Sequence, residues 1–351
     1  MMNISKKVVY SVMAALLLGS SGALSSQALA AQVQQTSAAA VQPAAQSQQS
    51  AKVDPKKFAG YIWRIDAPNE SQLPRNFRTV NSDFRTDIDV KKTGKDFTAN
   101  PTRNGLAALN ASGSAEFSEK ELETMIPVLK AQAKGPIYIV DLRQESHGLF
   151  NGTAVSWYGR NDWGNIGRTH DMALADEQKR LQDAKGHTVV MSELDKHKLP
   201  SEPTEVKVKS VMSEEELVKR HGLHYFRITA TDHIWPSPDN IDAFVTFVKG
   251  LPQDAWLHFH CQAGQGRTTA YMAMYDMMKN PDVSFGDILS RQYLLGGNYV
   301  AYTGSSKKGS DWKNHYYQEK AQMIEKFYQY VQENHASGFD VPWSKWLREN
   351  A

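Results

Sequence analysis

The sequence predicts an α/β fold: a central, mostly parallel sheet flanked by helices. Capping boxes open helices at two places, Ser118-Glu119-Lys120-Glu121 and Ser213 to Glu216. Short apolar runs of strand length alternate with the helical segments. Late in the chain a buried strand leads through a glycine-bearing loop into a helix. Such alternation builds parallel sheets covered on both faces, with ligands at the carboxyl ends of the strands.

In chain order, folded sequence begins near Phe58 to Trp63. The first capping box opens a helix with Leu122, Ile126 and Leu129 on one face. Pro136 to Val140 reads as a strand ending at Asp141 and Arg143. The second box opens a helix through Arg220, and Leu223 to Ile228 reads as the next strand. Asn240 to Lys249 has helical apolar spacing through Ile241, Phe244, Val245 and Val248. Ala255 to His260 reads as a buried strand, followed by a helix from Arg267 to Met278 and a last helix from Trp312 to Glu333. Residues 155–207 are polar and irregular and assign no element; a small β-rich insertion is expected there. No internal repeat is visible.

The chain has 351 residues, 41% apolar and 22% charged, enough to bury a sizeable core. Residues 1–30 have the features of an export signal: Lys6 and Lys7, an apolar run from Val8 to Leu18, and Ala28-Leu29-Ala30 as a cleavage pattern. The run is too short to span a bilayer comfortably. Export to the periplasm or the medium is expected. Residues 31–52, rich in Ala, Gln and Ser, read as a flexible tether, and residues 53–351 as one catalytic domain. Without Lys6 and Lys7 the net charge of +2 becomes zero. No global basic field therefore points to nucleic acid or membrane as a partner. Nothing in the sequence specifies an oligomeric state.

Cysteine occurs once, at Cys261. Exported chains use cysteines in disulfide pairs, and a lone one is ordinarily a small buried hydrophobe. Its neighbours point elsewhere: His260-Cys261-Gln262-Ala263-Gly264-Gln265-Gly266-Arg267-Thr268 joins strand to helix. A thiol attacks phosphorus only as thiolate, and a helix N-terminus favours negative charge. Successive backbone N–H groups from Gln262 to Gly266 can form an anion nest, with Gly264 and Gly266 allowing the backbone to bend. Arg267 offers a planar fork to two phosphate oxygens. Thr268 can donate its hydroxyl to sulfur, and His260 is expected to order the loop through backbone hydrogen bonds. A cysteinyl-phosphate route also needs an acid for the leaving oxygen. Asp232, in Thr231-Asp232-His233-Ile234-Trp235-Pro236, follows a strand and is the candidate, expected on a mobile loop.

These residues resemble the protein-tyrosine-phosphatase superfamily, and within it the bacterial inositol polyphosphate phosphatases known as cysteine phytases. Pro74-Arg75-Asn76-Phe77-Arg78, Asp141 through Gly148, Asn151-Gly152 and Trp157-Tyr158-Gly159 carry the likeness further, from about Asp54 to Glu333. The resemblance implies a protein-tyrosine-phosphatase-like fold, stepwise removal of phosphates from inositol hexakisphosphate, a small polyanionic substrate, and no cofactor or metal. It also implies substrate contacts at Arg78, Asp141, His197, Lys198, His233, Lys313, Tyr317 and Lys320. The last three follow i, i+4, i+7 spacing on one helix face, which supports them independently. Asp232 precedes Trp235-Pro236, unlike the Trp-Pro-Asp order of ordinary tyrosine phosphatases, and no phosphotyrosine-recognition loop is found. Gln262 stands where some relatives would carry Glu.

Two other readings remain at the level of sequence: a protein tyrosine or dual-specificity phosphatase, and a phosphate-binding pseudo-enzyme. Intact Cys261, Arg267 and Asp232 weigh against the second. No metal-ligand spacing is visible, and His147 and His170 stand scattered among acids.

Overall fold

A computed structural model describes residues 54–304 and 312–350. The expected export signal and tether, residues 1–30 and 31–52, lie outside the described residues. The strands are β1 (Ile62–Ala67), β2 (Arg78–Thr79), β3 (Ala111–Ala115), β4 (Ile137–Asp141), β5 (His147–Phe150) and β6 (Thr153–Tyr158). They continue as β7 (Thr188–Leu194), β8 (Pro200–Lys207), β9 (Val211–Met212), β10 (His224–Arg227) and β11 (Trp256–Cys261). The α-helices are α1 (Glu119–Lys130), α2 (His170–Ala184), α3 (Glu214–Arg220), α4 (Pro238–Lys249), α5 (Gly266–Lys279), α6 (Phe285–Leu294), α7 (Asn314–Asn334) and α8 (Trp343–Glu349).

Five strands form a sheet in the order β10-β4-β11-β3-β2, parallel except for β2. All six residues of β11 are buried, as a central parallel strand requires. Helix α5 follows it and buries all of its residues from Arg267 to Met278. The main core joins Phe259, Tyr271, Met274, Phe244, Leu122 and Phe327, drawn from both faces of this sheet. Both expected capping boxes form, at Ser118 with Glu121 and at Ser213 with Glu216. Helix α7 begins at Asn314, two residues later than the spacing predicts, and it is not the last: α8 follows it at Trp343–Glu349.

A second sheet has the order β8-β7-β1-β6-β5-β9 and is antiparallel except where β1 runs beside β7. It packs a small cluster of Trp63, Phe150, Val155, Leu181 and Met191 against α2. The β-rich region is thus real but differs from an insertion at 155–207: it begins at β5, runs to β9, and borrows β1 from the start of the domain. Helix α2, which the sequence left unassigned, lies inside it. Among the described residues no helix is long and apolar enough to cross a membrane.

Candidate active site

Strand β11 ends on Cys261 and the loop returns into α5, so the thiol sits at the carboxyl edge of the parallel sheet. The Cys261 side chain is buried, and Thr268 Oγ1 donates to its sulfur at 3.2 Å. The loop carbonyls are engaged from outside. Glu116 N–H donates to Gln262 O (3.4 Å), Asn76 Nδ2 to Ala263 O (2.8 Å) and Arg78 Nη1 to Gly264 O (2.8 Å). A loop with its carbonyls outward turns its N–H groups inward, the geometry of an anion nest. Gly264 has φ +67°, and a Cβ there would stand 2.3 Å from the backbone of Ser114 and Ala115, so no other residue fits. Gly266 is different: its φ is negative and a Cβ would meet nothing within 4 Å. The fold does not require glycine there; the position opens on the cleft instead.

Arg267 is held from behind. Glu145 grips both of its terminal nitrogens, at 2.7 and 2.9 Å, while Nη1 also donates to Leu142 O and Ala230 O. Its Nε lies 3.2 Å from Asp232 Oδ1. Asp232 Oδ2 lies 3.1 Å from His233 Nε2. Burial raises the pKa of Asp232, but Arg267 and His233 outweigh it and hold the carboxyl below its usual range. His233 is pushed down to about 4 by burial, aided by Lys313 and Lys320 and opposed by Asp232. The acid loop, expected to be mobile, is tied at several points: Thr231 Oγ1 donates to Gln144 Oε1 (2.9 Å), and Trp163 Nε1 donates to Asp232 O (2.8 Å).

A cleft of about 390 Å³ opens beside the loop, lined by Gly266, Tyr302, Asn314, Tyr317, Lys320 and Lys92. Tyr317 and Lys320 therefore stand on a cleft wall. Burial lowers the pKa of Lys320, opposed by the nearby Asp232 charge. Lys313 caps α7 and lies near enough to His233 for its charge to act there. His197 and Lys198 are exposed on the β7–β8 hairpin, where Tyr158 Oη donates to Lys198 O.

Three expectations need correction. Arg78 is 3% exposed, and its guanidinium bonds Asn76 O, Gly264 O and Thr269 Oγ1. It shapes the loop from outside, with its guanidinium spent on these partners and little surface left to a ligand. Asp141 is fully buried, its carboxylate taken by Arg143 N–H, Tyr225 Oη, Arg227 and His147. It belongs to the electrostatics beneath the loop and cannot touch substrate. His260 orders the loop through carboxylates, not backbone: Nε2 lies 2.8 Å from Glu214 and Nδ1 3.5 Å from Glu116. Burial alone would lower its pKa; Glu214 and Glu116 reverse that and push it up to about 10. Gln262 and Gln265, expected to offer backbone N–H groups, turn their side-chain amides back onto Asp66 and Gly296.

Sequence reasoning missed the buried ion-pair chain behind the cup. Arg267 pairs with Glu145, which pairs with Arg143 at 2.9 Å, which pairs with Asp66 at 3.0 Å and Glu116 at 2.6 Å. Glu116 then reaches His260, Glu214, His147, Asp141, Arg227 and Glu177 in succession. Within the chain, Glu116, Glu214 and His260 converge, as do Asp141, His147 and Glu214: metal-ligating residue types that no spacing revealed. The raised pKa of His260 keeps both its ring nitrogens protonated at neutral pH, so it serves these acids as a cation. Asp162 was also missed. It pairs with Arg64 at 2.6 Å, and burial raises its carboxyl to about 6 against the pull of Arg64, with Glu145 and Asp232 adding to the rise.

A parallel sheet that ends on a cysteine, an outward-carbonyl loop and a braced arginine defines the protein-tyrosine-phosphatase-like fold. A family model described as PTP-like phytase, inositol hexakisphosphate, matches residues 140–279. The chain is 31% identical to a PTP-like phytase from Bdellovibrio bacteriovorus, at a TM-score of 0.65, over 84% of this chain and 98% of that one. The chain belongs to the family of PTP-like phytases. It is 66% identical, at a TM-score of 0.82, to the tandemly repeated PTP-like phytase of Mitsuokella multacida, over 83% of this chain and 49% of that one. The Mitsuokella protein has also been solved in complex with myo-inositol-(1,3,4,5)-tetrakisphosphate. An effector protein of Pseudomonas syringae pv. tomato is 31% identical over 270 residues, 75% of this chain and 56% of its own length. The chain thus spans about half the length of the Mitsuokella and Pseudomonas proteins.

Proposed function

We propose that this protein is a cysteine-dependent phosphomonoesterase that removes phosphates stepwise from inositol hexakisphosphate. The observation that carries the reading is the convergence of Cys261 Sγ, the Thr268 hydroxyl, the braced Arg267 fork and Asp232 on one cup. The inositol phosphate complex of the similar Mitsuokella protein supports the substrate class.

In the first step the Cys261 thiolate attacks phosphorus, an S–P bond forms, and the P–O bond to the inositol oxygen breaks. Asp232 gives its proton to that oxygen. Arg267 and the inward N–H groups of Gln262 to Gly266 hold the three equatorial oxygens. In the second step water attacks phosphorus, Asp232 takes its proton, and the S–P bond breaks, releasing inorganic phosphate and the thiolate. Thr268 stabilises sulfur as it leaves. A phosphate dianion arriving at Arg267 draws that cation from Asp232 and sets negative charge beside it. Both changes raise the Asp232 pKa toward the protonated form the first step needs.

Lys313, Tyr317, Lys320, His233, His197 and Lys198 take the remaining phosphates. Export, with residues 1–30 as signal and 31–52 as tether, belongs to the same proposal and rests on the sequence pattern alone. The test is a side-by-side assay on inositol hexakisphosphate and a phosphotyrosine peptide. A higher kcat/KM on the inositol substrate, retained in EDTA, is expected. Preference for the peptide, or loss of activity on chelation, would overturn the reading.

A further inference from the structure

The second sheet sends one side chain to the acid loop that no proton-transfer scheme assigns. Strand β6 ends at Tyr158, and the chain turns through Gly159 to Trp163. Two consecutive residues of that turn, Asn161 at φ 63° and Asp162 at φ 62°, are left-handed without being glycine. Such backbone is uncommon and persists where surroundings over-determine it. Here Arg64 anchors Asp162 at 2.6 Å, and Asp162 N–H donates to Gly159 O at 2.9 Å. At Gly159 itself a Cβ would come within 2.1 Å of Phe58 O, so the turn also needs a close backbone approach. The product of this turn is the aim of the Trp163 indole.

That indole is 3% exposed and donates its N–H to Asp232 O at 2.8 Å. Its ring packs on Phe58 at 4.8 Å, Trp312 at 5.4 Å and Tyr316 at 5.7 Å between centroids. Trp312 in turn meets the His233 ring edge-on at 5.1 Å. The segment before Asp232 is fixed by Arg267 on Ala230 O and by Thr231 on Gln144. Trp163 supplies the tie at the Asp232 peptide itself, and the aromatic group flanks the next residue.

We propose that Trp163 is a positioning residue for the proton donor: its indole N–H holds the Asp232 peptide so that the carboxyl stands over the cup before substrate arrives. The proposal rests on Asp232 being the general acid. In this arrangement the acid loop is tied to the body of the protein at the Asp232 peptide. A proton donor out of place slows departure of a poor leaving group and leaves departure of a good one unchanged.

Trp163→Phe keeps an aromatic ring and removes the N–H together with part of the indole. On inositol hexakisphosphate, kcat/KM, which reports the step that expels the leaving oxygen, should fall about five- to tenfold, the worth of one hydrogen bond. On p-nitrophenyl phosphate, whose leaving group needs no proton, kcat/KM should fall less than about twofold, since it does not include the later hydrolysis of the cysteinyl-phosphate, in which Asp232 also acts. The ratio of the two rates is independent of the folded fraction, so partial misfolding cannot mimic the effect. Equal losses on both substrates, or no loss on either, would overturn the proposal. Asp232→Asn, assayed alongside, separates the layers. If Asp232→Asn discriminates between the substrates and Trp163→Phe does not, the positioning role fails alone; if Asp232→Asn does not discriminate, the acid assignment fails first.

Discussion

The two sheets of this protein differ in what they bury and in what they contribute to the site. Every residue of β11 in the parallel sheet is buried, whereas β8 in the second sheet has five exposed positions among eight. The parallel sheet supplies the chemistry: Cys261, the loop and the start of α5. The second sheet and its flanks supply braces: Arg64 and Asp66 from β1, and the turn carrying Asp162 and Trp163 after β6. A nucleophile and a cup made of backbone need a rigid, dry foundation. The braces need only reach it with a few long side chains.

Removing the nucleophile gives the largest expected effect and tests the parallel sheet's share. Cys261→Ser should cut turnover by about four orders of magnitude or more, since losing a nucleophile removes the covalent route. Isothermal titration should still detect binding of inositol hexakisphosphate; residual turnover within tenfold of wild type would contradict the division of labour. Glu145→Gln comes next, because Glu145 joins Arg267 to Arg143 and so to Asp66 of the second sheet. Leaving these buried arginines short of a carboxylate should cost about 3 to 5 kcal/mol in urea unfolding. A loss below about 1 kcal/mol would mean the sheets are energetically independent there.

A smaller effect comes from pH. His260 has its pKa raised in the folded protein to about 10 from an ordinary 6.5, so the folded state binds the proton more tightly. The stability this contributes is complete below about pH 6.5 and is lost as pH rises through about 10. Urea midpoints should therefore fall between pH 7 and pH 10, and fall less in His260→Gln; a flat profile in the wild-type protein would count against a charged His260. The smallest effect is expected at the edge of the second sheet. Glu205→Gln, on an exposed position of β8, should shift stability by less than about 0.5 kcal/mol. A larger change would show that the hairpin carries more of the fold than its exposure implies.

The same contrast explains what the sequence revealed. The parallel sheet was legible because its strands are short apolar runs and its helices carry capping boxes. Residues 155–207 were not, since β7 and β8 lack a continuous apolar face and β7 finds its second partner, β1, far away in the chain. In the site, Cys261, Arg267, Thr268 and Asp232 could be placed because strand, loop and helix are contiguous. Arg78 and Asp141 looked like ligand contacts, yet their hydrogen bonds are spent inside the protein. The ion-pair chain from Glu145 to Glu177 joins residues that only tertiary folding brings together. Its one local hint was Arg143 and Glu145 standing just past the end of β4, where α/β folds gather function.

The outward carbonyls of the cup have a consequence for how specificity can change. In the function proposed above, main chain and Arg267 grip the phosphate, while the Gln262 and Gln265 side-chain amides turn back onto Asp66 and Gly296. The engine is thus separate from the mouth. Under that reading, exchanging cleft-wall residues such as Lys92, Tyr302 and Tyr317 is expected to change the preference among phosphate esters more than the reaction at Cys261.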